Sequence, residues 1–304
     1  MSLFSKSQNK KRTEREAEVN AIRDMYGWNE SVAPASAKEW EGVLTELVLE
    51  TKDHKMEVPG YCDACDENQR FLLDDMYCEF SNFETLNDFK SAGGLCFRER
   101  MVCPKCGLNS RQRALFKILP DYVDTKSKIY MLEQVTPPYR AVVKKYRNVV
   151  GSEYLGDGVE PGFVNKDGIR HEDATHLSFA DDSFDCVISQ DVFEHVFDID
   201  ACLREMSRVL RLEGTMIVSV PFYTMELKTR IRAKLVDGKV EHLLEPVYHG
   251  NPMGGGSLLV YDYGWDLLDK IKAAGFSEVY IRKEYSPSHG IIGADTVWFI
   301  IAKK

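Results

Sequence analysis

From Lys128 to the carboxyl terminus, short apolar runs alternate with stretches of helical periodicity. The runs are "IYML", a helix after Pro138, "NVVGSE", "GIRHED", "FDCVISQD", a helix, "TMIVSV", a helix, then "EVYIRKEY" and "TVWFIIA". A strand covered on both faces reads as an unbroken apolar run, and intervening helices return the chain for another parallel pass. The pattern therefore predicts an α/β, doubly wound and mostly parallel sheet. The last two strands have no helical pattern between them and are expected to pair antiparallel at one edge.

The most informative segment is "HEDATHLSFADDSFDCVISQDVFEHVFDIDACLREMSRVLRLEGTMIVSVPF". Asp173 closes a short strand, Phe184 to Ser189 form a buried one, and "QDVFEHV" follows at its carboxyl end, where open parallel sheets bind ligands. Asp198 is placed to cap the next helix. Ile199, Leu203, Met206, Val209 and Leu210 make that helix's core face, and Gly214 is its expected stop.

The order of these pieces, an acid, "LSFADDSFD", "EHV" and "REMSRVL...G", resembles S-adenosylmethionine-dependent methyltransferases of Rossmann-like fold, type 11-like. The match is detailed over about Lys128 to Pro221, and "YGWDLLDKIKAAGF" is similar to the family's late helix. The resemblance implies a seven-stranded sheet with a reversed last strand and S-adenosylmethionine over the carboxyl ends of the first four. Carried over residue by residue, it places Glu133 near the amino-acid part of the cofactor. Glu153, followed by Tyr154, ends the second strand, where a carboxylate can accept ribose hydroxyls. Asp173 and Ala174 fall at the adenine, and Asp191 flanks the methyl-donating end.

The loop after the first strand departs from this pattern. Glycines there let the backbone approach the cofactor, whereas "LEQVTPPYR" has none and carries Val135, Pro137 and Pro138 instead. Two outcomes are open. Pro138 begins the following helix and Glu133, Gln134 and Thr136 bind the methionine end by side chains, or the loop fills the pocket and the domain is silent. Four acids at successive strand ends favour a working site built differently.

Upstream, Tyr61 to Leu108 holds six of the eight cysteines. Cys62 with Cys65 and Cys103 with Cys106 form two knuckles, each presenting two thiolates to one tetrahedral ion, and Gly107 supplies a permissive backbone after the second. Four thiolates make a closed, structural Zn2+ site. Cys78 and Cys96 are rival ligands. Arg111 and Arg113, just beyond, can meet an anionic ligand or pair with carboxylates. The organisation expected is an amino-terminal extension over 1–58, a zinc-ribbon-like module with its linking helix over 59–120, and the methyltransferase domain over 121–304. Within the extension, Lys6, Lys10, Lys11, Arg12 and Arg15 read as a solvated, frayed terminus, while Trp40, Val43, Leu44, Leu47 and Val48 recur at helical spacing.

A net charge of -9 disfavours general attraction to polyanions, and no run of apolar residues is long enough to span a bilayer. With no signal-peptide pattern, a cytoplasmic protein is expected, its cysteines ligating metal or buried rather than paired. Methyl transfer from a sulfonium is an in-line displacement, so the chain must align a nucleophile and, for a hydroxyl, take its proton. His195, His249 and Tyr223 are the candidates for base or acceptor contact, and Gly254, Gly255 and Gly256 suit a mobile cover. The reading preferred is a methyltransferase for a small-molecule or sugar-type hydroxyl or amine. An RNA methyltransferase gripping its substrate through the zinc module, and a silent binding protein, are the alternatives.

Overall fold

Seven α-helices and fourteen strands are found in the computed structural model, which describes residues 3–28, 32–91, 94–293 and 296–304. The helices are α1 (Leu3–Met25), α2 (Ala37–Glu50), α3 (Leu86–Ser91), α4 (Ser110–Ile118), α5 (Pro137–Lys145), α6 (Ile199–Val209) and α7 (Asp266–Ala273). The strands are β1 (Lys55–Cys62), β2 (Glu67–Asp74), β3 (Lys128–Met131), β4 (Asn148–Gly151), β5 (Phe184–Gln190), β6 (Leu210–Ser219), β7 (Arg230–Ile231), β8 (Ala233–Val236), β9 (Lys239–His242), β10 (Tyr248–Gly250), β11 (Gly256–Leu258), β12 (Tyr261–Asp262), β13 (Glu278–Lys283) and β14 (Trp298–Lys303).

Six strands form the central sheet in the order β13-β14-β6-β5-β3-β4. Strands β4, β3, β5 and β6 are parallel, and β14 runs antiparallel to both β6 and β13. Side chains alternate between the faces of a strand, and the two cores follow that alternation. Ile129, Met131, Cys186, Ile188, Ile217, Phe299 and Ile301 point to the side covered by α4 and α5. Tyr130, Val187, Met216, Val218, Ile300 and Ala302 point to the side covered by α6 and α7. The antiparallel pairing of the last two strands is as expected, but β14 lies inside the sheet and β13 at its edge.

The expected seven-stranded sheet is corrected to six. "GIRHED" makes only one parallel bridge, Glu153 to His171, in line with β4. Its neighbours explain the loss: Val164 bridges Arg170 in a tight turn closed by Asn165, so no helix separates this segment from β4 to set up a full parallel pass. Asp198 caps α6 by accepting the Ala201 N–H at 2.8 Å. The helix gives way directly to β6 at Leu210, four residues before Gly214, which sits within that strand.

A third core joins α2 to the cysteine segment through Leu44, Val48, Phe71, Leu73, Phe89 and Met101. Trp40, Val43 and Leu47 of the same helix remain exposed. The frayed terminus is also corrected: residues from Leu3 form a helix of 23 residues. Its end docks on the main core where the Tyr26 hydroxyl donates to Asp269 at 2.7 Å. Arg15 pairs with Glu226 at 2.5 Å, whereas the side chains of Lys6, Lys10, Lys11 and Arg12 lie outside the described residues. No helix among the described residues is long and apolar enough to cross a membrane.

Candidate functional site

The site is built on the carboxyl ends of β3, β4, β5 and β6. Thr136 caps α5, accepting the Tyr139 N–H at 3.3 Å, and Pro137 and Pro138 occupy the first helical turn, where a missing N–H costs little. The helix thus begins one residue before the expected Pro138. Close approach is supplied by the neighbouring strand: a Cβ on Gly151 would stand 2.6 Å from the Glu133 carbonyl oxygen and 2.4 Å from the Tyr139 ring.

Three carboxylates, those of Glu133, Glu153 and Asp191, surround the start of this loop. Glu133 is buried and accepts from the Thr136 hydroxyl at 2.5 Å through Oε2. Its Oε1 has no hydrogen-bond partner among the described residues. Burial, reinforced by the nearby Glu153 and Asp191 charges, pushes its pKa up to about 7. One oxygen of Glu153 accepts the N–H groups of Gln134 and Val135. Asp191 adopts a left-handed backbone (φ 54°), tolerated by aspartate, and donates its N–H to the Ser219 carbonyl at 2.8 Å. Its side chain meets Arg111 at 2.8 Å.

The remaining sequence candidates fall around this centre or away from it. Gln134 bridges backbone instead of facing ligand, donating to the Gly168 carbonyl at 2.9 Å and accepting the Arg170 N–H at 2.8 Å. Asp173 closes a local turn, with Oδ1 accepting both the N–H and hydroxyl of Thr175. Ala174 packs, half-buried, against the main core. Tyr154 is exposed, its hydroxyl donating to Asp157 and its ring tilted over His171.

Beyond Asp191 opens a cavity of about 960 Å³. Its polar end is lined by Arg98, Glu99, Arg111, Asp191, His195 and His249, its apolar wall by Trp28, Val220, Phe222 and Trp298. His195 and His249 come together here, rings perpendicular at 89° and 5.3 Å apart. The Leu258 carbonyl can only accept, so its 2.8 Å contact with His195 Nδ1 places the proton on that nitrogen. Nε2 of a neutral His195 is then a lone pair. Tyr223 does not line the cavity; it is exposed, with Arg230 over its ring, while its neighbours Phe222 and Thr224 line the wall. Gly254 and Gly255 lie in the turn between β10 and β11, and Gly256 opens β11 opposite Gly250.

Sequence reasoning passed over Glu194. It is wholly buried, and neither of its carboxylate oxygens has a hydrogen-bond partner among the described residues. His249 Nδ1 stands 3.6 Å away, and Glu194 draws the His249 pKa up. The adjacency "EH" was the only signal available for it. Arg111 and Arg113 are both buried, Arg111 at the polar end of the cavity, which favours the pairing with carboxylates over a surface grip on a polyanion. Burial opposes the charge of Arg111, but Asp191 and Glu99 hold its pKa above the usual value. Arg113 donates to the carbonyls of Met101, Leu108 and Gly290 and lies over the Phe71 ring, tying the cysteine segment to the sheet domain.

The four thiols of Cys62, Cys65, Cys103 and Cys106 converge within 4.8 Å of one another. Cys62 and Cys106 sulfurs are 3.8 Å apart, those of Cys65 and Cys103 3.9 Å. A tetrahedron with zinc–sulfur bonds of about 2.3 Å has edges of roughly 3.8 Å, so the set fits one zinc ion. Asp66 and Gly107 end the two knuckles in left-handed conformations (φ 55° and 74°). Cys78 and Cys96 stand outside this cluster.

The parallel strands, the reversed β14 and the site over the strand ends make this a Rossmann-like α/β fold. Residues 134–218 match the family described as a methyltransferase domain. Among solved structures, a Mesorhizobium loti S-adenosylmethionine-dependent methyltransferase is 14% identical over 63% of this chain and 98% of that one, with a TM-score of 0.39. A Methanosarcina mazei methyltransferase of the same class is 18% identical over 62% of this chain and 96% of its own, also at 0.39. The YcgJ protein of Bacillus subtilis is 19% identical over 35% of this chain, at 0.29, and this chain covers 49% of its length. No curated protein sequence matches the chain.

Proposed function

We propose that the protein is an S-adenosylmethionine-dependent methyltransferase acting on a small molecule through a hydroxyl or amine, with one structural zinc. The observation that carries the reading is the Glu133 Oε1, buried and without a hydrogen-bond partner among the described residues, just after β3 and immediately before the segment that matches a methyltransferase domain. A buried carboxylate oxygen without a donor costs several kcal/mol unless a ligand completes it. The ammonium of the methionine portion has the charge and hydrogen-bonding capacity to do so. Glu153 and Asp191 are the further carboxylates offered to the cofactor, which supplies an electrophilic methyl group.

The chain's own work is to align and deprotonate. The cavity beside Asp191 would hold the acceptor, its apolar wall excluding water and its two histidines receiving a proton at His195 Nε2 or on His249. A cavity of about 960 Å³ is the size of a site for one small molecule. The RNA alternative loses its intended grip with the burial of Arg111 and Arg113. Four thiolates that must stay reduced to hold zinc suit the cytoplasm.

The test is calorimetric titration of the zinc-replete protein with S-adenosylhomocysteine, beside Glu133→Gln. Saturable heat that the variant weakens at least about tenfold, or 1.4 kcal/mol, is expected. No heat at millimolar ligand would leave a non-catalytic binding protein as the reading.

A further inference from the structure

Glu194 sits in the short turn Phe193–His195 that follows β5, a place the remaining structure makes rigid. The hydroxyl of Tyr263 donates to the Phe193 carbonyl at 2.7 Å, that of Tyr261 to Phe197 at 2.6 Å, and the Val260 N–H to the carbonyl of Glu194 itself at 2.8 Å. Yet its side chain, fully buried, ends in two oxygens that accept nothing among the described residues. His249 Nδ1 stands 3.6 Å and His195 Nε2 3.7 Å from the same oxygen, Oε1. Those separations are too long for hydrogen bonds. They are a few tenths of an ångström wider than the roughly 3.0–3.4 Å edges of a coordination sphere with bonds of about 2.0–2.1 Å.

We propose that Glu194, His195 and His249 bind one divalent transition-metal ion, separate from the zinc of the cysteine cluster. Their ligand atoms lie within 4.8 Å of one another. The nitrogen of His195 is aimed inward by a contact made elsewhere. His195 gives its Nδ1 proton to the Leu258 carbonyl, the kind of outer bond that fixes the tautomer and orientation of a metal-binding imidazole. Leu258 lies on β11, which pairs with β10, where His249 sits opposite Ser257. One hairpin therefore carries the third ligand and also orients the second. Two imidazoles with one carboxylate favour Mn2+, Fe2+, Co2+ or Zn2+ over Mg2+ or Ca2+, which take oxygen ligands.

His195 and His249 line the cavity, so positions not taken by protein face it. The role that follows rests on the methyltransferase reading and, with both imidazoles engaged by the ion, replaces them as proton acceptors: an acceptor hydroxyl bound to the ion is acidified and passes its proton to water. That points to oxygen acceptors over amines.

The test uses the full chain, zinc-replete and freed of excess metal, titrated with Mn2+ while unbound Mn2+ is followed by its electron paramagnetic resonance signal. One Mn2+ bound per chain is expected, weakened at least about tenfold in both His249→Gln and Glu194→Gln. A second zinc per chain that His249→Gln loses supports the site equally. If Glu194→Gln fails to fold, His249→Gln, a change on a surface hairpin, decides alone. The proposal is overturned if the wild type takes neither Mn2+ nor a second zinc, or if His249→Gln binds metal as the wild type does. S-adenosylhomocysteine binding without Mn2+ binding would remove this site and keep the methyltransferase; the reverse would keep the site and remove the methyltransferase.

Discussion

Glu153 Oε1 lies 2.7 Å from the backbone nitrogen of Gln134 and accepts its N–H, and the same oxygen takes the N–H of Val135 at 2.9 Å. The carboxylate at the end of β4 thereby holds the glycine-free loop in place. Hydrogen bonds to a charged acceptor contribute about 1.5–3 kcal/mol each. Glu153→Ala should lower unfolding stability by about 2–3 kcal/mol in urea and weaken S-adenosylhomocysteine at least about tenfold. Unchanged stability would show that the loop is held by other contacts.

Glu133 predicts a pH dependence of the ligand-free protein. Its pKa, raised by burial from 4.5 to about 7, means that the folded state holds a proton the unfolded chain has lost. The stability tied to that proton is present below pH 4.5 and lost as pH rises through about 7. Glu133→Gln cannot ionise, so its stability relative to the wild type should grow between pH 5 and pH 8 by roughly 3 kcal/mol at most. Denaturant midpoints at the two values measure this. A constant difference would mean that Glu133 is ionised and paired throughout.

What the sequence made legible was whatever depends on local pattern. The strand Phe184–Gln190 carries the short apolar run Cys186–Ile188, and α6 has both its stripe and its Asp198 cap, so both could be placed in advance. "GIRHED" could not be told from a strand, because a six-residue alternation looks the same in a loop that makes one bridge. Long-range contacts decided the rest. Tyr26 becomes core only by meeting Asp269 and Trp265. Arg113 is buried because the Gly290 carbonyl, far along the chain, joins those of Met101 and Leu108 in receiving it. The turn that carries Glu194 is pinned by Tyr261 and Tyr263, far along the chain, through the Phe197 and Phe193 carbonyls, and nothing in "FEHV" reveals that.

The cysteine cluster predicts a metal-dependent fold for more than its own segment. Cys62 and Cys103 are fully buried in the core shared with α2, and Asp63 within the first knuckle pairs with His289 at 2.8 Å. Four thiols in so small a space would be held together by a bound ion and by little else. One zinc per chain is expected by elemental analysis. Cys65→Ser should lower its affinity and shift thermal unfolding down in a single transition, since Arg113 couples the segment to the sheet. A zinc-free protein of unaltered melting temperature would refute the structural role.

Arg111 bridges Glu99, at 3.0 Å from its Nε, and Asp191, at 2.8 Å from its terminal nitrogen. Removing the cation leaves Asp191 without its partner beside a Glu99 that Arg98 still pairs, and breaking a buried pair from one side costs up to about 3–5 kcal/mol. Arg111→Ala should therefore destabilise strongly, and Arg111→Lys should recover only part, because a single ammonium cannot fork to both partners. Adding Asp191→Asn to Arg111→Ala should restore some of the loss, a coupling that a double-mutant cycle in urea measures directly. The same variants separate the two roles open to this arginine. If it serves an external polyanion, Arg111→Ala will lower salt-sensitive RNA affinity with little change in stability; the geometry at Asp191 predicts the opposite, a large stability change and no effect on RNA.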